Sequence, residues 1–257
     1  MWQALFLSGD LGDPDRIQDL AQHCDRIWTA DGGLDRARML GFQPDMHVGD
    51  NDSLSPQGLA YLRDQDIPRI KFPEKKDEPD SALALHYMLE AEYAWRRGDL
   101  LSRQPSPQAG SYPSSKSLLN FAGSGLIFLA GLGSRVDHVL ANLDLASRYV
   151  QPDLAFLMTD GLTEVWTFKG PCQAEIHVPG ENQQDTYISL LAVSPEVKGL
   201  SLQGSLWPLD QRKLFQGINL GISNQLASDQ PLRLKLDQGR LRLVLSREDK
   251  DQAKLQL

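Results

Sequence analysis

Residues 26–53, RIWTADGGLDRARMLGFQPDMHVGDNDS, decide the fold of this chain of 257 residues. They contain two short apolar runs, 26–30 and 46–48, and between them a segment that begins at Gly33 and ends before Gly41. Continuous apolar runs are typical of strands covered on both faces, and a glycine after the last turn marks a helix end. Because parallel neighbours need a crossover connection, this stretch predicts a strand, a helix and a second, parallel strand.

The same alternation of strand and helix signals extends on both sides of this stretch. Further apolar runs occupy residues 4–8, 69–72, 126–130 and 154–158. Helices are predicted where Pro follows Asp13 and Ser55, since Pro is favoured in a first turn, and over 79–97, which Gly98 closes. The first two thirds of the chain are therefore predicted to form a mainly parallel sheet with flanking helices.

From about residue 171 the pattern changes to β-rich segments. These cover 174–178, 187–193 and 200–204, followed by alternating runs on either side of Asp237-Gln238-Gly239, which predict a hairpin. The predicted fold class is therefore α/β, with an N-terminal mainly parallel sheet and flanking helices followed by a C-terminal all-β, sandwich-like domain. We place the two domains at 1–170 and 171–257.

A segment of low complexity interrupts the first domain. Residues 102–117 are rich in Ser, Pro, Gln and Gly and poor in apolar side chains. Such a composition cannot bury enough apolar surface to offset the entropy lost when the chain is ordered. We therefore predict a flexible insertion over 102–124, between a helix and a strand.

Composition argues against several classes of function. The chain is 41% hydrophobic and 23% charged, an ordinary profile for a soluble protein. Its net charge of -8, from 26 basic and 34 acidic residues, argues against a nucleic-acid surface, which needs clustered Lys and Arg. No apolar stretch approaches the roughly 18 residues of a membrane span, so we expect a cytoplasmic protein without membrane contact. Cys24 and Cys172 are too few for a disulfide framework and are predicted to be buried thiols.

Acidic residues follow the predicted strands. They are Asp31, Asp50, Asp52, Asp77, Asp80 and Asp137. In an open α/β sheet the loops at the carboxyl ends of the strands meet in one crevice, even when they lie far apart in sequence. Mg2+ prefers oxygen ligands and usually takes a few carboxylates together with water and substrate phosphates. The acids therefore predict a magnesium site that a substrate phosphate completes.

Each acidic motif also has a structural interpretation. In GDNDS, extended backbone would point Asp50 and Asp52 at one ion, whereas an Asx turn leading into the next helix would explain the same residues. Asp31-Gly32-Gly33 either presents backbone amides to a ligand or forms a turn. From the residues alone, both interpretations stay open.

Two later motifs are ambiguous in the same way. Asp77 and Asp80 lie at the start of the long helix, where the dipole favours a bound anion but where acids are also simply preferred. In residues 131–143, GLGSRVDHVLANL, flexible glycines and Arg135 can grip phosphate oxygens, while Asp137 is also explained as a helix cap. The five histidines show no metal-ligand spacing, and none is assigned a catalytic role.

Taken in order, six motifs resemble the thiamin pyrophosphokinase family: ADGG, LGFQPDMHVGDNDS, KKDEPDSALAL, GLGSRVDHVLANL, VKGLSLQGSLWPL and NLGISNQ. The resemblance spans nearly the whole chain, and its specificity comes from the ordered set. It implies an enzyme that uses Mg2+ to transfer the pyrophosphoryl group of ATP to the hydroxyethyl oxygen of thiamin, giving thiamin diphosphate and AMP. It also implies a homodimer in which thiamin lies near the junction of the two domains, across subunits.

The resemblance further implies roles for individual residues. Those implied for magnesium are Asp50, Asp52, Asp77 and Asp80. Those implied for ATP are Asp31, Gly32, Gly33, Lys76, Gly131, Gly133 and Arg135. Those implied for thiamin are Trp207, Ser223 and Asn224, although Trp207 alone is equally explained as a core residue. The catalytic residues would be Asp52, Asp80, Asp137 and Arg135, with either Asp80 or Asp137 accepting the hydroxyl proton.

The chain departs from the family pattern at three positions. Asn51 replaces the usual aromatic residue between two acids, Pro79 replaces a Thr, and Gln225 follows Ser-Asn where Glu is common. Pro79 lacks a hydroxyl and an amide N-H, which puts nucleotide positioning in question. Other functions therefore stay open: pyrophosphoryl transfer to another alcohol such as a hydroxymethylpterin, hydrolysis of a nucleotide, and nucleotide or thiamin binding without catalysis.

Overall fold

The structure is a computed structural model that describes residues 1–72, 79–99, 119–121, 123–178, 186–218, 221–227 and 230–247. The chain packs as two compact units. The first contains the described residues of 1–110, 125–145 and 158–161, and the second contains those of 111–124, 146–157 and 162–257. None of the helices among the described residues has the length and apolar character of a membrane span.

Fifteen strands and five helices are defined among the described residues. The strands are β1 Trp2–Phe6, β2 Arg26–Ala30, β3 Met46–Gly49, β4 Arg69–Lys71, β5 Leu119–Phe121, β6 Ser124–Leu129, β7 Leu154–Thr159, β8 Thr163–Lys169, β9 Cys172–Ile176, β10 Thr186–Ala192, β11 Glu196–Gln203, β12 Leu209–Phe215, β13 Gly221–Gln225, β14 Leu232–Leu236 and β15 Arg240–Arg247. The helices are α1 Pro14–Gln22, α2 Gly33–Met39, α3 Pro56–Asp64, α4 Asp80–Arg96 and α5 Val136–Tyr149.

The first unit contains a parallel sheet. Its strands lie in the order β6-β1-β2-β3-β4, and each neighbouring pair is parallel. Residues 26–53 form the predicted strand, helix and strand, and Ala30 of β2 lies beside Val48 of β3. Because these strands are parallel and adjacent, the segments that follow them emerge at the same edge of the sheet.

Local sequence signals set the helix starts. The Asp13 carboxylate accepts a hydrogen bond from the Arg16 amide at 3.0 Å, and the Ser55 hydroxyl accepts one from the Gly58 amide at 2.9 Å. Each capping residue is followed by a proline in the first turn, where the missing amide hydrogen costs nothing. The two predicted Pro-marked starts are confirmed.

The core of the first unit is apolar and closed to solvent. Leu5 and Phe6 of β1 are fully buried, as are Leu85 and Met88 of α4. All six residues of β6 are buried, as expected for a strand covered on both faces. Burying one such large apolar side chain stabilises the fold by roughly 1.5–3 kcal/mol, so the helices hold the sheet edge in place.

The second unit contains two packed sheets, which confirms the predicted sandwich-like domain. One has the order β13-β10-β15-β8-β7 and the other β12-β11-β14-β9-β5. In β14 buried and exposed residues alternate strictly, so one face of the sheet is covered and the other is solvated. The rings of Phe121 in β5 and Phe168 in β8 lie 6.1 Å apart and join the two sheets.

The predicted hairpin at 237–239 is wrong. The turn exists, with Gly239 at a φ of +98°, but the strands on either side belong to different sheets. β14 pairs with β11 and β9, whereas β15 pairs with β10 and β8. The amide of Asp237 bonds to the carbonyl of Lys198 in β11 at 3.0 Å, which turns the chain towards the other sheet. Alternation shows only that each strand buries one face, and it does not identify the partner strand.

The predicted insertion over 102–124 extends too far. Leu119–Phe121 forms β5 and pairs with β9, and Ser124 begins β6, while residues 100–118 lie outside the described residues. The predicted boundary at 170 also differs from the packing, because residues 146–157 and 162–170 pack with the second unit. β8, which sequence reasoning did not identify, has five buried central residues, and two of them, Glu164 and Thr167, are polar, so no apolar run marks this strand.

Candidate active site

A cleft of about 560 Å³ lies at the carboxyl edge of the parallel sheet in the first unit. Residues after β1, β2, β3 and β6 line it, together with the start of α4 and three residues of α5. They are Leu7, Ser8, Gly9, Asp10, Ala30, Asp31, Asp50, Asp52, Ser53, Pro79, Asp80, Ser81, Ala130, Gly131, Leu132, Gly133, Ser134, Arg135, His138, Val139 and Asn142. The predicted convergence of distant loops at one crevice is confirmed.

Three carboxylates meet in this cleft. Asp31, Asp50 and Asp52 each place one oxygen so that the three atoms lie within 4.8 Å of one another. Such a set of hard oxygen donors fits Mg2+, and three protein ligands leave positions for water and substrate phosphate. The pattern of acids after the strands included Asp31 in the predicted magnesium site, whereas the family resemblance implied a role for it in ATP binding. Because β2 and β3 are adjacent and parallel, the residues that follow them are neighbours, as that pattern predicts.

Asp80 lies in the same cleft but outside this trio. It is the first residue of α4, and Pro79 precedes it in the capping position without a side-chain cap bond. Asp77 and Lys76, predicted for magnesium and ATP, lie outside the described residues. Their roles therefore stay predictions.

The loop that carries Asp50 and Asp52 is a turn, so extended backbone was the wrong reason for expecting the two acids to converge. Asn51 between them has a φ of +73°, which is left-handed, and the Asp52 amide donates to Asp50 Oδ1 at 3.0 Å. This bond is the Asx turn considered above. The Asx-turn interpretation is therefore confirmed, and it is compatible with the two carboxylates lying close together.

Gly49 and Gly33 allow the backbone to approach closely. A Cβ atom on Gly49 would lie 2.0 Å from Asp31 Oδ1, and one on Gly33 would lie 2.0 Å from the Phe6 carbonyl oxygen. The amide of Gly32 donates to the hydroxyl of Ser53 at 3.0 Å, which ties the loop after β2 to the loop after β3. Gly32 and Gly33, predicted to contact ATP, are buried and are not among the described residues that line the cleft.

The glycine-rich loop after β6 lies against the loop after β1. The amides of Gly9 and Asp10 donate to the carbonyls of Ala130 and Leu132 at 3.0 and 3.3 Å. Gly131 and Gly133, which are predicted to contact ATP, both line the cleft. Sequence reasoning missed Ser8 and Asp10, although the polar run after β1 resembles the runs that follow β2 and β3.

Arg135 and Asp137 form a two-point ion pair. The guanidinium Nε and Nη2 atoms donate to the two carboxylate oxygens at 2.9 and 2.7 Å. Hydrogen bonding to Arg135 holds the pKa of the Asp137 carboxyl well below its usual range. Arg135 lines the cleft, and Asp137 is the partner that orients its guanidinium.

Behind the acidic trio lies a buried polar chain. His47 is 1% exposed, and its Nδ1 lies 2.9 Å from Thr29 Oγ1 while its Nε2 lies 2.8 Å from Asn51 Oδ1. Burial lowers the pKa of His47, although the bond to Asn51 and the charge of Asp80 act in the opposite direction. The imidazole is therefore neutral near pH 7, with one nitrogen donating and the other accepting.

The residues predicted for thiamin come together in the second unit. Trp207 is 61% exposed, so its interpretation as a core residue is wrong. Asn224 is 9% exposed, and its amide pairs with both backbone polar groups of Trp207. Ser223, next to it in β13, is exposed at a φ of +61°, and its amide donates to Ser189 Oγ at 3.2 Å.

Comparison with known proteins gives a consistent relationship. A family profile described as thiamin pyrophosphokinase, catalytic domain, matches residues 17–158, and one described as its vitamin B1 binding domain matches 173–241. A thiamine pyrophosphokinase of Bacillus subtilis is 25% identical over 222 residues, which cover 84% of this chain and 86% of that protein.

Solved structures show the same fold. A crystal structure of thiamine pyrophosphokinase from Bacillus subtilis superposes with a TM-score of 0.71 at 22% identity, covering 96% of this chain and 100% of that one. Thiamin pyrophosphokinase from Candida albicans gives a TM-score of 0.68 at 15% identity, covering 96% of this chain and 89% of that one. The fold class predicted from the sequence is confirmed.

Proposed function

Because this chain belongs to the thiamin pyrophosphokinase family, we propose that it transfers the pyrophosphoryl group of ATP to the hydroxyl of thiamin, giving thiamin diphosphate and AMP. The observation that carries the proposal is the convergence of Asp31, Asp50 and Asp52 in one cleft. A polyphosphate carries several negative charges, so a site that cleaves it needs a cation to offset them.

Three carboxylates of the first unit would hold that cation as Mg2+. Asp31, Asp50 and Asp52 supply one oxygen each, and water and phosphate oxygens complete the shell. When bound, the ion neutralises charge that develops on the phosphate oxygens during transfer. Asp77 stays a prediction as a further ligand.

The loop after β6 would grip the phosphates. Gly131 and Gly133 line the cleft without side chains, so backbone N-H groups can approach an anion. Two of the five guanidinium N-H groups of Arg135 point to Asp137, which leaves three for phosphate oxygens. Asp137 would thus hold the Arg135 guanidinium in position, and Arg135 would stabilise charge on the transferred group.

Asp80 is the better choice of the two acids considered for accepting the hydroxyl proton. Its carboxylate lies in the cleft, whereas Asp137 is committed to Arg135 and its depressed pKa makes it a weak base. In this step the hydroxyl oxygen bonds to the β-phosphorus, the bond from that phosphorus to the AMP oxygen breaks, and the proton passes to Asp80. No covalent intermediate with the protein is needed.

Thiamin would bind in the second unit, with Trp207 as its platform. A flat, cationic ligand gains stacking and cation-π attraction from an exposed indole. Other apolar side chains of this unit are also exposed, including Leu206, Phe215, Ile218 and Ile222. We propose that the chain forms a homodimer, as its resemblance to the family implies, and these side chains would contribute to the interface if they form one patch.

The test is an assay of AMP release from ATP and Mg2+ with thiamin, with a hydroxymethylpterin, or with neither. The proposal expects AMP to accumulate only with thiamin, in equal amount with thiamin diphosphate. Release with the pterin instead would indicate another acceptor alcohol, and release with neither would indicate a hydrolase. Thiamin and nucleotide binding measured by calorimetry without any AMP release would indicate a binding protein.

A further inference from the structure

A chain of three polar side chains supports the loop that carries Asp50 and Asp52. It runs from Thr29 in β2 through His47 in β3 to Asn51 in the loop itself. Both hydrogen bonds are short, at 2.9 and 2.8 Å, and both use ring nitrogens of a histidine that is 1% exposed. A buried imidazole with both nitrogens engaged has a fixed ring orientation, so it is a rigid support for what it contacts.

Asn51 stands at the position on which the geometry of the acidic loop depends. Its φ of +73° lies in the left-handed region, which costs most residues roughly 1–2 kcal/mol and is tolerated best by Gly and Asn. The residue lies between the two acids, so any relaxation of its backbone towards ordinary values would rotate their side chains apart.

We propose that the hydrogen bond from His47 to Asn51 is a positioning device for the metal site, which sets the Asp50 and Asp52 carboxylates where they meet Asp31. The inference rests on the proposed function, because it assigns the support of the same site. Because Asn51 Oδ1 can only accept, His47 Nε2 donates to it, and in the neutral ring Nδ1 then accepts from the Thr29 hydroxyl, so both ring nitrogens are paired.

Two simpler roles compete with this one. In the first, His47 only fills space in the core. Replacing it would then alter stability but leave the cation affinity of the folded protein unchanged. In the second, Asn51 is needed only because it tolerates left-handed backbone. Glycine tolerates that conformation better, so Asn51→Gly would then keep the cation affinity unchanged. The two competing roles therefore predict results that differ from those of a positioning bond.

The test measures Mn2+ binding by electron paramagnetic resonance in the presence of α,β-methylene-ATP. In this nucleotide a methylene group bridges the α- and β-phosphorus atoms, so the link between them cannot be cleaved. Asn51→Gly keeps the left-handed backbone and removes the hydrogen bond. We expect it to weaken Mn2+ binding roughly tenfold, since partners that orient metal ligands are worth about 10–100-fold in affinity. His47→Gln, which retains a donor near the Nε2 position, should restore most of the affinity that His47→Leu loses.

A double variant, His47→Leu with Asn51→Gly, separates one shared bond from two independent effects. If both residues act through that bond, the double variant binds Mn2+ no more weakly than whichever single variant has the lower Mn2+ affinity. His86→Gln is the matched control, because His86 is an exposed histidine whose only described ion pair is with Glu90 on its own helix. It should bind Mn2+ as the unaltered chain does, and thermal melting confirms that each variant is folded.

Three results would overturn the inference: an Asn51→Gly variant with unchanged Mn2+ affinity, losses that simply add in the double variant, or an unaltered chain that binds no Mn2+. The outcome for the proposed function is read separately, from AMP release by the unaltered chain with thiamin. A chain that binds Mn2+ as expected but leaves thiamin unmodified would contradict only the proposed reaction, and the positioning role would stand.

Discussion

The side-chain amide of Asn224 is paired with the backbone of Trp207 at both of its ends. Oδ1 accepts a hydrogen bond from the Trp207 amide at 3.1 Å, and Nδ2 donates to the Trp207 carbonyl at 2.8 Å. Asn224 is buried while the indole of Trp207 is 61% exposed, so the pair fixes the backbone beneath an exposed ring. The amide that was predicted to bind thiamin directly is therefore engaged in presenting the residue that we propose as its platform.

We expect Asn224→Ala to raise the KM for thiamin about tenfold and to leave the KM for ATP unchanged. The substitution removes the partner of the Trp207 amide and leaves the Trp207 carbonyl with only the Ser205 hydroxyl, at 3.2 Å. Losing such a partner costs roughly 1–3 kcal/mol where the group is buried. Steady-state kinetics with each substrate varied in turn measure the effect. Equal losses for both substrates in Asn224→Ala would contradict this role.

Asp31→Asn should reduce turnover by at least about 100-fold while the protein stays folded. The change removes one charge from the acidic trio, and single preorganised electrostatic groups act on that scale. Asp66→Asn is a matched control, because Asp66 is also an aspartate at positive φ, at +46° against +45° for Asp31, but precedes β4 at the other edge of the sheet. If the two variants retain similar turnover, Asp31 is not part of the metal site.

Gly49→Ala should abolish Mg2+-dependent activity and destabilise the fold by roughly 1–3 kcal/mol, the cost of a residue held in a disfavoured conformation. Its new Cβ atom would lie 2.0 Å from Asp31 Oδ1, at a φ of +147°. Gly41→Ala is the control that separates backbone strain from a steric clash. Gly41 also has a positive φ, +80°, but no atom lies within 4 Å of its added Cβ. Urea unfolding should show reduced stability in both variants, and assays of AMP release should show lost activity only in Gly49→Ala.

Stability should fall as the pH is lowered below about 6.5, and His47 should account for part of that fall. Burial lowers the pKa of His47 from its model-compound value of 6.5, so the unfolded chain binds a proton more readily than the native one. Between the unfolded and native pKa values, acid therefore favours unfolding, and above them the contribution is constant. Urea midpoints measured across this range should depend less on pH in His47→Gln. An identical pH dependence in both proteins would exclude His47.

Part of this structure follows from local chemistry that the sequence displays. The Pro-marked helix starts at Asp13 and Ser55 and the run of strands around 26–53 depend on neighbouring residues, so they were predictable. The crevice was predictable too, because parallel strands place their following loops at one edge. The same reasoning placed Asp31 among the converging acids, and β2 and β3 are indeed neighbours.

Other features depend on contacts between residues far apart in the chain. Nothing in the alternating pattern of β14 and β15 reveals that they pair with different strands, and nothing local to Asn224 points to Trp207, 17 residues away. Tertiary hydrogen bonds of this kind outweigh local conformational preference.

The position of the cation decides whether the three acids act together. Anomalous X-ray scattering from Mn2+, in crystals of the chain grown with α,β-methylene-ATP, locates it without reference to activity. We predict one Mn2+ bonded to a carboxylate oxygen of each of Asp31, Asp50 and Asp52 and to a phosphate oxygen, at distances near the roughly 2.1 Å of magnesium bonds. An ion held by other residues, or by the nucleotide alone, would contradict the proposed site.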